Sequence, residues 1–386
     1  MKKICILGVI FGSLFAGIIG VHAEEINLAE KAKSAIIIEP TTGTILFEKN
    51  SHEKLHPASM TKMMSMLLIM EAIDDKTITW DEMVTVSETA SSMGGSQILL
   101  ETGEKMSVRD LLKGIAVASG NDAVVALAER IAGTKEEFVK KMNDKAKELG
   151  LKDTNFKNPH GLDDANHYSS AYDMAMIAKE LSKHEEIFKF TSIYEDYLRK
   201  GTDKEIWLVN TNKLVRFYDG VDGFKTGYTK EAGYCLTASA VKNNMRIITV
   251  VMGEEDSKVR NAETTQMLDY AFAQYSLNTL LSKNSMVGKK EIDKGKQKLA
   301  TIVPTEDVTA LIKRSESKKK IDYSLSLNNL KAPIKKGDVV GKITVKENGK
   351  NTRTIDVTVK EDIKKANILE LYIRYLKDIL AGDITI

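Results

Sequence analysis

Between Ser59 and Ile73 the chain carries apolar residues around more than one face of a helix: Met60, Met63, Met64, Leu67, Leu68 and Met70. Such a helix has no face to give to water, so it belongs inside a domain with other elements packed around it. Pro57 stiffens the approach. In the first turn stand Ser59 and Lys62, three apart and therefore on one face. A hydroxyl near a helix N-terminus, with an amine beside it in apolar surroundings, is a candidate activated nucleophile. The spacing alone is weak evidence. It recurs at Ser51/Lys54, Ser239/Lys242, Ser315/Lys318 and Ser317/Lys320, the last two in the charged, solvated-looking run from Lys313 to Lys320.

The 386 residues suit two domains. Ser34 to Asn50 reads as a β-hairpin turning at Pro40-Thr-Thr-Gly43. Ser107, Asn121-Asp122, Thr134 and Ser170 stand as caps before helical runs. Strands follow at Glu205 to Asn210, Cys235 to Val241 and Arg246 to Met252, then a helix from Ser257 to Gln274. Strands thus flank a helical middle. The expected fold is α+β: one mostly antiparallel sheet with helices packed on it, over residues 24–275. Residues 276–290 read as a linker. Residues 291–362 read as a small all-β domain of short strands, without His or Cys and without an assigned chemistry.

From 363 to 386 the pattern is an amphipathic helix. Ile368, Leu369, Tyr372, Ile373, Leu376, Ile379 and Leu380 share a face, and Glu370, Arg374, Lys377 and Asp378 lie opposite. It is too polar to span a bilayer, and either docks on its own domain or lies on a membrane surface. At the other end, Lys2 and Lys3 precede the apolar run Ile4 to Ile19, and Val21-His-Ala23 offers a cleavage site. The expectation is a signal peptide over 1–23 and a secreted chain at the outer face of the cell membrane; an uncleaved anchor is the alternative. Cys5 would leave with the signal, and Cys235, alone, reads as a buried core thiol.

A formal net charge of +2 gives no reason to expect nucleic acid. No phosphate-binding glycine loop is present, and neither metal nor cofactor is expected.

Two further motifs follow Ser59/Lys62 in order: Ser119-Gly-Asn121 between two helices, and Lys225-Thr-Gly227 before a predicted strand. This ordered triple resembles the penicillin-recognising serine acyl-transferases. Pro57-Ala-Ser-Met-Thr-Lys62, Ala118-Ser-Gly-Asn-Asp-Ala123, Asn158-Pro-His-Gly-Leu162, Ser169-Ser-Ala-Tyr-Asp173 and Asp222-Gly-Phe-Lys-Thr-Gly-Tyr-Thr229 are similar to the D-alanyl-D-alanine carboxypeptidases among the low-molecular-mass penicillin-binding proteins. The resemblance implies removal of the terminal D-alanine from peptidoglycan stem peptides, with β-lactams acylating the same serine. Two alternatives stand beside it, a β-lactamase and a non-catalytic wall-binding scaffold. No convincing Glu-x-x-x-Asn loop for deacylating a β-lactam lies between the second and third motifs.

Chemistry assigns the parts. Ser59 is the nucleophile and Lys62 its base, if burial and the neighbouring Lys225 lower the usual lysine pKa of about 10.4. Ser119 can relay a proton, and Asn121 can hold a substrate amide or orient Lys62. The Ser59 N–H is one oxyanion donor, and the resemblance implies the Tyr228 N–H as the other. Lys225, Thr226 and Gly227 face the substrate carboxylate. The resemblance adds Arg260.

Overall fold

The computed structural model describes residues 27–316 and 320–381. The expected signal peptide lies outside the described residues.

Five antiparallel strands form the main sheet, in the order Thr44–Lys49, Ser34–Glu39, Met245–Glu254, Gly233–Lys242, Val221–Thr229. The two ends of the catalytic region meet in it: Ile36 pairs with Val250 and Ile38 with Ile248. Strand Ser34–Glu39 is buried at every position. Alternation explains this. Ile36 and Ile38 join the cluster that contains helix Lys62–Asp74, while Ala35 and Ile37 join a second cluster with Met267, Leu268 and Ala271 of helix Ser257–Gln274. With both faces covered, each parity must be apolar.

Helix Lys62–Asp74 is the interior helix that its pattern requires, with only Glu71, Ile73 and Asp74 outside the buried set. Ser107, Thr134 and Ser170 cap their helices, each accepting from the backbone N–H three residues on. Asn121 does not cap. Ser119 ends helix Val108–Ala118 with a left-handed φ of 65°, Gly120 takes the cap position, and Asn121 is already the first residue of helix Asn121–Ala132. The expected strand near 205–210 forms as Ile206–Val209, but pairs with Glu195–Leu198 in a hairpin of its own.

The linker expected at 276–290 is corrected. Helix Ser257–Gln274 runs directly into strand Tyr275–Leu281, which pairs with Val308–Lys313. Leu277 packs on the second catalytic cluster, and Leu280 on the core of the β domain, so this strand splices the two. A six-stranded sheet follows, ordered Ile321–Leu327, Gly341–Glu347, Lys350–Val359, Leu299–Pro304, Gly288–Asp293, Leu330–Lys331.

Helix Ile368–Leu380 closes the chain behind a capping box formed by Asn367 and Glu370. It docks by its polar side. The Arg374 guanidinium donates to the carbonyls of Gly295 and Lys296 at 2.5 and 2.7 Å, and Lys296 pairs with Glu370 at 3.0 Å. The apolar stripe faces outward, with Ile368 88% and Leu380 85% exposed. Among the described residues no helix is long and apolar enough to cross a membrane.

Candidate active site

Ser59 sits in a single tight turn, Ala58–Thr61, that leads into helix Lys62–Asp74. Lys62 is wholly buried. Its Nζ donates to Ser59 Oγ at 3.1 Å and to the His160 carbonyl at 2.7 Å. That carbonyl belongs to a loop clamped on itself: Asn158 Oδ1 accepts from the Gly161 N–H at 2.6 Å, and Asn158 Nδ2 donates to the Leu162 carbonyl at 2.9 Å. The loop is pressed onto the nucleophile turn. Gly161 has φ +91°, and a Cβ there would lie 1.9 Å from the Ala58 carbonyl oxygen. Ser65 Oγ donates to the Pro159 carbonyl at 2.6 Å, tying the loop to the helix. The Lys157 N–H donates to His167 Nδ1 at 3.0 Å, so His167 Nε2 carries the proton it shares with Thr61 Oγ1 at 2.7 Å. Burial pushes His160 down to about 3 and His167 to about 4, which keeps both rings neutral.

The second motif shapes the opposite wall. Ser119 is buried and lines the cleft with Ser59. Asn121 holds the loop at 94–96: its Nδ2 donates to the Gly94 carbonyl at 2.7 Å and its N–H to the Ser96 carbonyl at 2.7 Å. Its Oδ1 is buried and has no partner within the protein, so an acceptor is in reserve at the site. Asp122, buried beside it, accepts from the N–H groups of Ile98 and Leu100 at 3.0 Å each.

The third motif precedes strand Gly233–Lys242, as expected, and itself lies within a further edge strand, Val221–Thr229, that the sequence pattern did not show. Lys225 is buried and its Nζ donates to the Thr226 carbonyl at 3.2 Å, while Thr226 Oγ1 donates to Thr211 Oγ1 at 2.7 Å. At Gly227 the strand backbone touches the nucleophile turn, since a Cβ would lie 2.6 Å from the Pro57 carbonyl oxygen. Any side chain there would push the strand off Ser59. The Tyr228 side chain is exposed and packs on Tyr234 with ring centroids 4.3 Å apart. Arg260 is buried and donates through Nε and Nη2 to its neighbour Asn261 Oδ1, at 3.1 and 2.9 Å.

These elements enclose a cleft of about 470 Å³. Ser59, Ser119, Thr226, Gly227, Tyr228 and Arg260 line it, joined by Thr211, Lys213 and Asn261. Lys62, Asn121 and Lys225 stand buried behind that lining. All nine residues expected from the sequence therefore come to one place. Three contributors were not legible there: the His160 carbonyl, Asp122 as a loop tether, and Thr211 as a partner of Thr226. The signal for the first was present, a glycine directly after Pro159-His160, where a positive φ and a close backbone approach both call for one.

Electrostatics set the protonation states. Lys62 is held well below the ordinary lysine value by burial and then by the Lys225 charge, which outweigh the opposing pull of Asp122. Lys225 is lowered to about 7, by burial and then by Arg260. Among the described residues no cluster of ligating side chains could hold a metal.

Residues 21–256 match the family D-alanyl-D-alanine carboxypeptidase, and residues 275–365 match the C-terminal domain of penicillin-binding protein 5. The chain belongs to the D-alanyl-D-alanine carboxypeptidase family. It is 55% identical over 353 residues to D-alanyl-D-alanine carboxypeptidase DacF of Bacillus subtilis, covering 91% of each chain. To DacA of Escherichia coli K12 it is 34% identical, covering 92% of this chain and 91% of the relative. Among solved structures it resembles penicillin binding protein 5 of Haemophilus influenzae, at 35% identity and TM-score 0.70, covering 87% of this chain and 98% of that one. Like the relatives it matches, this carboxypeptidase is a serine hydrolase of the penicillin-binding class. The β-lactamase and scaffold alternatives give way to it.

Proposed function

We propose that Ser59 and Lys62 carry out D-alanine removal from peptidoglycan stem pentapeptides through an acyl-enzyme. The observation that carries this reading is the 3.1 Å contact between Lys62 Nζ and Ser59 Oγ in a site where Lys62 is wholly buried. A neutral amine there accepts the Ser59 proton as Oγ attacks the penultimate carbonyl carbon. The carbonyl oxygen becomes an oxyanion held by the N–H groups of Ser59 and Tyr228. Collapse breaks the C–N bond. The leaving amine takes the proton from Lys62 by way of the Ser119 hydroxyl, freeing D-alanine. Water, deprotonated by the same amine, then hydrolyses the Ser59 ester. Thr226 and Arg260 line the place for the terminal carboxylate with the Lys225 charge buried behind them, and Asn121 fixes the cleft wall at 94–96. A β-lactam carbonyl opened by Ser59 gives the analogous ester.

The test is D-alanine release from a diacyl-Lys-D-Ala-D-Ala peptide. Wild type releases it and Ser59→Ala does not; equal release by both refutes the assignment. Mass spectrometry of the penicillin adduct should place it on Ser59.

The reading extends to location: residues 1–23 direct export and helix Ile368–Leu380 rests on the outer face of the membrane. Its outward apolar stripe supports this, because soluble surfaces seldom leave so many large apolar side chains together. N-terminal sequencing of the exported chain should begin at Glu24, and an intact Met1 would refute cleavage.

A further inference from the structure

We infer that the groove between the β domain and the C-terminal helix is a binding site for the phosphates of anionic phospholipids. This rests on the membrane reading of the helix, and deepens it by naming which lipid is recognised and by what.

The groove holds about 900 Å³. Lys289, Lys290, Lys294 and Lys298 line it from the strand–turn segment, and Arg374 lines it from the helix. Even with Lys298 set aside, Lys289, Lys290, Lys294 and Arg374 outnumber the two carboxylates of the lining, Glu291 and Asp293. The chain as a whole carries a formal net charge of +2, so this excess is a local concentration and not a general property. Leu299, Leu371 and Tyr375 add an apolar component. Leu299 is 48% exposed although it lies on a strand.

The helix sits where it can make use of that charge. Arg374 fastens it by donating to the Gly295 and Lys296 carbonyls, and Lys296 holds Glu370. Its polar side is thereby turned to the lysine-bearing segment and its apolar stripe away from it. When the stripe enters a bilayer, the lysines flanking the helix come to the level of the headgroups. Cations near an anionic leaflet are each worth about fivefold in affinity. The stripe supplies adhesion without regard to headgroup. The groove supplies the selection, and fixes which face of the β domain meets the lipid.

The experiment is vesicle sedimentation of the exported chain, helix included. One set of vesicles is phosphatidylcholine alone, the other an equal mixture with phosphatidylglycerol. Wild type should prefer the anionic vesicles, and the preference should shrink with added salt. Lys289→Gln/Lys290→Gln/Lys294→Gln should lose on the order of 100-fold on anionic vesicles and little on neutral ones. An unchanged thermal midpoint shows that the variant is folded. Ile373→Asp/Leu376→Asp should lose binding to both sets. If wild type and the lysine variant bind both sets alike, the groove is not a lipid site while the helix remains an anchor. If wild type binds neither set, the anchor reading falls and the groove falls with it.

Discussion

The two domains bury different things. In the β domain the core is aliphatic, with Ile302, Ile343, Val345, Ile355, Val357 and Val359 at its centre. Its buried polar residues, among those described, are the threonines Thr309 and Thr358. The catalytic domain instead buries Lys62, Lys225, Asp122, Arg260, Glu254 and Glu263. Each of these disfavours folding unless it is paired or neutral. The difference teaches where chemistry can reside. A pKa moves far only where water is excluded, and the domain that tolerates buried ionisable groups is the one that can hold an uncharged lysine at neutral pH.

That contrast can be broken most sharply at the nucleophile. Ser59→Ala should abolish the covalent penicillin adduct, read by intact-protein mass spectrometry. Lys62→Ala should retain the fold and slow acylation by roughly 10²–10⁴, the range of a lost general base. Any smaller loss would mean that Lys62 is not the base.

On the other side, Ile343→Ala should cost the β domain about 2–5 kcal/mol, seen by denaturant unfolding. Its kcat/KM on a soluble peptide should stay at the wild-type level. A large loss of turnover would mean that the two domains are not separate in function.

A pH profile sharpens the catalytic half. Lys62 must be neutral while Lys225 is charged; burial and then the Lys225 charge lower Lys62, and burial and then Arg260 lower Lys225 to about 7. Activity therefore rises with pH as Lys62 loses its proton. It falls again as pH passes the Lys225 value of about 7 in the free enzyme, where the carboxylate loses its cation. The expected alkaline limb is about tenfold in kcat/KM per pH unit. Lys225→Arg should remove that limb; a profile flat from neutral to alkaline pH in wild type would contradict the assignment.

The smallest effect is expected at Glu254. Burial and the neighbouring Glu263 raise its carboxyl from 4.5 to about 8, with Lys49 and Arg260 pulling the other way. The folded state thus holds a proton that the unfolded chain releases. Its contribution to stability is complete below about pH 4.5 and is lost as pH rises through about 8. Glu254→Gln should raise the thermal midpoint by roughly a few degrees at alkaline pH and leave it unchanged in acid.

Much of this was legible in the residues. The helix around Lys62 is apolar on several sides, and only a buried helix can be. The motifs at Ser59, Ser119 and Lys225 convey the site because their side chains are the chemistry. What stayed hidden acts through the main chain or through position. The 276–290 segment looked like a linker because Ser276, Asn278 and Thr279 dilute its apolar alternation, although Leu277 and Leu280 each anchor a different core. Asp122 looked like a helix cap, since an acid at a helix start is ordinary. Nothing in its identity announces that it holds the N–H groups of Ile98 and Leu100.

The His160 carbonyl carries a consequence for how this enzyme can change. The group that aims the amine at Ser59 is peptide oxygen, common to every amino acid. Exchanging residue 160 for another would leave that oxygen in the chain, so no one codon encodes the aim. A lineage under antibiotic pressure can retune the cleft wall residue by residue, but it can redirect the base only by moving a whole stretch of backbone wedged against Ala58.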